Sequence, residues 1–90
     1  MACIDTDSLA QYERDAKCGR ADALYNLGLA YSTGQGVPTD YVVAHKWFNL
    51  AAVRGVEEAK RWRNQLAEEM NPGQIAQAQK LAREWLSLFR

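Results

Sequence analysis

Residues 23–55, ALYNLGLAYSTGQGVPTDYVVAHKWFNLAAVRG, decide the fold. Leu24, Leu27, Gly28 and Tyr31 follow one another at steps of three, one and three. Ala44, Phe48, Ala51 and Ala52 follow at four, three and one. Each set falls on one face of a helix with 3.6 residues per turn. Between them, Ser32-Thr33-Gly34-Gln35-Gly36-Val37-Pro38 breaks any helix. Gly34 can end the first helix in the left-handed conformation, and Pro38 suits the opening of the next. The stretch is an αα-hairpin.

Leu-Gly-x-x-Tyr followed by Ala-x-x-x-Phe is also the skeleton of the tetratricopeptide signature. Here the gap from Tyr31 to Ala44 is long and holds Gly34, Gly36 and Asp40. With Trp47-Phe48 and Ala51-Ala52-x-x-Gly55, these residues resemble the Sel-one-like repeat family, a longer-looped relative of the tetratricopeptide repeat. The resemblance is close over the hairpin and loose on its flanks. It implies a fold, an all-α stack of αα-hairpins, and names no particular activity.

Working outward, residues 7–18 read as a helix with Asp7 or Ser8 as N-cap and Leu9, Tyr12 and Ala16 as its apolar stripe. Gly19 ends it. This segment repeats downstream: Ala16 falls on Ala52, Gly19 on Gly55, Tyr12 on Phe48 and Ala23 on Ala59, a period of 36 residues. Residues 7–19 are then the second half of an incomplete repeat, and 20–55 form a complete one. Its helices are expected over 21–33 and 39–54. Gly28 sits inside a helix at a cost of about 1 kcal/mol against alanine. Close approach of a neighbouring helix would compensate.

Residues 56–70 form a degenerate repeat helix. Where the hairpin has Leu24, Leu27, Gly28 and Tyr31, this segment has Lys60, Arg63, Asn64 and Ala67. Its apolar stripe is rotated to Ala59, Trp62, Leu66 and Met70, which is expected to pack on the helix that follows. That helix, within 71–90, opens on Asn71-Pro72-Gly73-Gln74, an N-cap, a proline at the first position and a glutamine able to close a capping box. Its stripe is Ile75, Ala78, Ala82, Trp85 and Phe89, broadened by Leu81 and Leu88, and it reads as a capping helix. The N-terminal end has no comparable cap, so either the first helix seals its end alone or another chain covers it, and self-association is the favoured expectation.

Composition bounds the function. Ninety residues with 48% hydrophobic content make one small globular domain. Eleven basic residues balance eleven acidic ones, so no global field draws nucleic acid or anionic lipid. Arg61 and Arg63 stand among Glu57, Glu58, Glu68 and Glu69, a solvated mixed-charge face. No apolar run is long enough to span a bilayer, and the N-terminus lacks a secretion signal, which points to the cytoplasm. Cys3 and Cys18 lack the close spacing with which some secreted relatives staple their hairpins, and two reduced thiols are expected.

Chemistry is sparse. His45 is the sole histidine, expected part-exposed beside the Ala44/Phe48 face. Nothing orients it toward Cys18 for thiol chemistry. One histidine and two distant cysteines make no metal cluster, and Gly34-x-Gly36 lacks the strand, third glycine and lysine of a phosphate loop. No cofactor is implied. Some relatives of the fold are credited with hydrolytic activity, but no catalytic constellation is visible, and the chain reads as a non-enzyme.

By resemblance, the first helix of each hairpin faces a concave groove. Carried over by position, the groove presents Asp22, Tyr25, Asn26, Leu29 and Ser32, then Glu58, Arg61, Gln65 and Glu68. These suit an extended peptide or partner helix. The expected partner is another protein, with a homodimer as the rival. A second surface is the tail Trp85, Leu86, Leu88 and Phe89, richer in apolar residues than one buried face requires.

Overall fold

A computed structural model describes residues 6–89, with side chains from Leu9 onward. Five helices are present among these residues: α1 (Thr6–Lys17), α2 (Ala21–Thr33), α3 (Tyr41–Val53), α4 (Glu57–Glu68) and α5 (Pro72–Leu88). They are joined by short turns, apart from the loop between α2 and α3. The architecture is the expected all-α stack of hairpins. Helix α1 already includes Asp7 and Ser8, so neither is the N-cap expected there; Cys3 lies outside the described residues, and Cys18 is an exposed thiol.

The α2–α3 hairpin is held from both ends. Gly34 takes φ 77°, and its N–H and that of Gln35 both donate to the Ala30 carbonyl, closing α2. A Cβ at Gly34 would also lie 2.6 Å from Thr39 Oγ1. The Asp40 N–H donates to the Tyr31 carbonyl at 2.9 Å, which fastens the loop back on α2. The start of α3 differs from expectation. Asp40, not the proline, sets it: its carboxylate accepts from the Val43 N–H at 3.2 Å as a side-chain N-cap. Pro38 lies in the loop before that cap.

Phe48 is fully buried and its ring lies against Gly28. A Cβ built on Gly28 would come within 2.6 Å of two atoms of that ring. The glycine is therefore the seat of Phe48, and the helix-propensity cost it carries is offset by burial of a whole aromatic side chain. Leu24, Leu27, Ala30, Ala44, Leu50 and Ala51 complete the seam, all buried.

The 36-residue period is visible in backbone hydrogen bonds. Gly19 donates to Ala16 and Gly55 to Ala52, at 2.9 and 3.0 Å. Arg20 donates to Asp15 and Val56 to Ala51, at 3.2 and 3.1 Å. Both glycines take positive φ, 83° and 95°. The same turn thus hands α1 to α2 and α3 to α4, and the Arg54 guanidinium lies on Gly19, so the turns stack.

Packing around α3 corrects one expectation. Helix α3 packs against α2, α4 and α5, whereas α4 and α5 do not pack extensively on each other. The rotated stripe of α4 (Ala59, Leu66 and Met70 buried, Trp62 half open) serves α3 instead of α5. The physical reason is the loss of an α2-like seam: with Lys60, Arg63 and Asn64 in place of Leu24, Leu27 and Gly28, α4 offers α5 no apolar slot. Helix α5 instead buries Ala78 and Ala82, and sets Trp85 edge-on to Trp47, 4.8 Å between centroids and 78° between planes. The N-terminal end presents a mostly polar outer face among the residues whose side chains are described. Leu9 and Ala16 are buried with Tyr12 packed beside them, while Ala10, Gln11, Glu13, Arg14 and Lys17 face outward. Among the described side chains of α1, no large apolar residue is exposed.

The capping box forms as expected: Gln74 N–H donates to Asn71 Oδ1 at 2.8 Å, and Asn71 N–H donates to Gln74 Oε1 at 3.0 Å. Asn71→Ala should cost about 1 kcal/mol in urea denaturation. Gly28→Leu should lower stability by about 1–3 kcal/mol through overpacking against Phe48, although intrinsic propensity favours leucine. An unchanged melting temperature would show that the ring does not need the glycine.

Candidate functional site

The face shared by α2 and α4 is built around an aromatic relay that starts in the core. Phe48 lies 5.8 Å from the Tyr25 ring and 6.2 Å from the Trp62 ring, nearly parallel to the latter at 13°. The Trp62 indole N–H donates to the Tyr25 hydroxyl at 3.1 Å, and that hydroxyl donates to Glu58 Oε2 at 3.4 Å. Tyr25 is thereby a bridge between α2 and α4, half buried, instead of an open aromatic group awaiting a ligand.

Trp62 is the residue that sequence reasoning missed. Its stripe position suggested core packing, yet 37% of its surface is open. It forms the wall between two clefts. One, of about 360 Å³, is lined by Glu58, Arg61, Trp62 and Gln65. The other, of about 260 Å³, is lined by Trp62 and Gln65 with Ser32, Thr33, Tyr41, Leu66 and Glu69. Tyr41, at the first turn of α3, was also missed. It is exposed to the same degree as Trp62.

The structure brings Tyr25, Glu58, Arg61 and Gln65 together around Trp62. Asp22 is exposed at the start of α2 and pairs with Arg20 at 3.5 Å. Asn26 and Leu29 are half buried, and Glu68 is exposed without lining either cleft. Ser32 reaches the second cleft, with its hydroxyl donating to the Leu29 carbonyl at 3.1 Å. The tail residues are placed differently from one another. Trp85 packs on Trp47 and on Phe89, the latter at 4.3 Å, and Leu86 is half buried, leaving Leu88 74% exposed. Lys46 lies over the Trp47 and Trp85 rings at 4.2 and 5.2 Å. Burial pushes its ammonium below the ordinary lysine range, opposed by Glu13 and Glu84.

His45 departs from expectation: it is 3% exposed. Helix α3 is covered on three sides, so a position beside the main stripe is also interior. Neither His45 Nδ1 nor the Trp47 indole N–H has a hydrogen-bond partner among the described residues. Burial, with Arg63 adding to it, holds the imidazole below its ordinary value of 6.5. Arg63 is itself fixed by donating to Asn49 Oδ1 at 3.0 Å. No cluster of His, Cys, Asp or Glu among the described residues could hold a metal ion. No described helix is long and apolar enough to cross a membrane.

Stacked helical hairpins with a 36-residue period and an open face define an α-solenoid of the tetratricopeptide type. The Sel1 repeat family model matches residues 21–56 and again 63–89, more than half of the chain. The chain belongs to the Sel1 repeat family. It is also similar in structure to a protective antigen of uropathogenic Escherichia coli that displays an SLR fold, with TM-score 0.85 and 26% identity. That match covers 91% of this chain and 18% of the antigen, so the chain spans under a fifth of the longer protein. No curated protein matches the chain in sequence. Sel1 repeats are generally protein–protein interaction modules, typically scaffolds without enzymatic activity.

Two outcomes follow from the site. Because the fold prefers the neutral imidazole, the stability owed to His45 is present above pH 6.5 and lost as pH falls below it. Urea midpoints measured between pH 7 and 5.5 should therefore fall for the wild type and fall less for His45→Leu. Tyr25→Phe removes the bridge between α2 and α4 and should cost about 1 kcal/mol, read from the same denaturation curves.

Proposed function

We propose that this chain is a non-catalytic interaction module that receives an extended peptide or a partner helix along the face shared by α2 and α4. The observation that carries this reading is Trp62. It is anchored from beneath by Phe48 and from the side by the Tyr25 hydroxyl, yet opens onto two adjoining clefts. A rigid, part-exposed tryptophan beside hydrogen-bonding groups is the residue type that dominates binding energy at protein interfaces. Glu58, Arg61 and Gln65, which line one cleft beside Trp62, supply polar groups to fix the register of a bound chain. The clefts are shallow and hold no paired nucleophile and base, which favours recognition over catalysis.

Self-association through α5 is the second reading, favoured by the exposure of Leu88 beside Trp85 and Phe89. Selection of binders from a phage-displayed random peptide library separates the two. Selected peptides should lose about tenfold or more in affinity to Trp62→Ala. Arg61→Glu and Gln65→Arg, both on exposed positions that leave the core intact, should also weaken them. Leu88→Glu should not. Peptides insensitive to all three cleft variants would contradict the reading. A dimer in light scattering that Leu88→Glu dissolves would favour the second.

A further inference from the structure

The smaller cleft has the chemistry of a cation receptor. Tyr41 and Trp62, the two part-exposed aromatic rings singled out by their 37% exposure, line it together. Glu69 contributes a carboxylate and Gln65 an amide, and no lysine or arginine lines the cleft. Its two aliphatic hydroxyls are committed, since Ser32 and Thr33 both donate to the Leu29 carbonyl, at 3.1 and 2.7 Å, and Tyr41 adds a phenol. The cleft therefore offers two aromatic rings, a carboxylate and two neutral groups able to accept, the Gln65 amide and the Tyr41 hydroxyl, with no cation of its own.

A cation over an aromatic face is attracted by the ring quadrupole, most strongly by that of tryptophan. The volume, about 260 Å³, falls below the 300–1,000 Å³ of pockets for drug-sized molecules, and suits one long side chain. The adjoining cleft is different, because Arg61 lines it with Glu58. Charge thus distinguishes the two halves of the face.

Resting on the reading of this face as a peptide-binding surface, we propose that the Tyr41–Trp62–Glu69 cleft receives a lysine or arginine side chain of the partner segment. The cation sits between the rings with its charge toward Glu69, while the adjoining cleft takes the neighbouring part of the segment. The partner is accordingly a segment carrying at least one exposed basic residue.

The probe is Nα-acetyl-arginine amide, titrated into isotopically labelled protein and followed by NMR. Nα-acetyl-lysine amide and the uncharged isostere Nα-acetyl-citrulline amide run in parallel. Both cationic amides should move the Trp62 indole N–H and the Tyr41 amide saturably, and the citrulline amide should not. Glu69→Gln and Tyr41→Leu, both exposed and outside the core, should each weaken the response about twofold to fivefold. Equal shifts with citrulline, shifts that never saturate, or shifts confined to other residues would overturn the proposal. The fate of the wider reading is separate. Library peptides that require Trp62 but carry no basic residue would leave the groove standing and remove the cation. Peptides that bind without Trp62 would remove both.

Discussion

The contact of the Phe48 ring with Gly28 is the constraint on which the rest depends. Helices α2 and α3 approach closely because one carries no side chain where the other carries its largest fully buried one. A ring seated there has two further neighbours, Tyr25 and Trp62. The core residue that closes the hairpin therefore also floors the open face. In a protein of this size few side chains are wholly buried, and one of them serving both packing roles ties the stability of the hairpin to the geometry of the open face.

Helix α3 is the centre of the molecule, with α2, α4 and α5 against it. This explains why its sequence, YVVAHKWFNLAAV, is apolar almost all round instead of along one stripe. It also explains how a histidine and a tryptophan nitrogen come to be buried without partners. An element with three helices against it has little solvent-facing surface on which to place polar atoms. Unsatisfied groups of this kind are costly, and here they fall along the helix that packing most strongly holds in place.

The complete hairpin was legible in the sequence because each of its features has a local cause. Gly34, Asp40 and the 3.6-residue stripes act within a few residues of themselves, and the 36-residue echo from Ala16 to Ala52 fixed the frame. The errors fall where the cause is tertiary. His45 was read from its own helix face, yet its burial comes from neighbours beyond that face. Trp62 was assigned to the core by stripe, and Tyr41 passed over. Their exposure depends on where α4 lands on α3, which no single-helix pattern encodes. The partnering of α4 with α3 instead of α5 has a signal in the polar residues at the positions of Leu24, Leu27 and Gly28, but which neighbour the rotated stripe meets is decided by the packing of the whole stack.

The most direct test of this coupling is Phe48→Leu, observed through the indole N–H of Trp62 by NMR and through tryptophan emission. Far-UV circular dichroism serves as the check that the helices persist. If Phe48 floors the open face, the Trp62 resonance shifts and broadens and the emission moves to the red while the helical signal is retained. A Trp62 resonance and emission indistinguishable from wild type in a folded variant would contradict the account, since the core and the recognition face would then be independent.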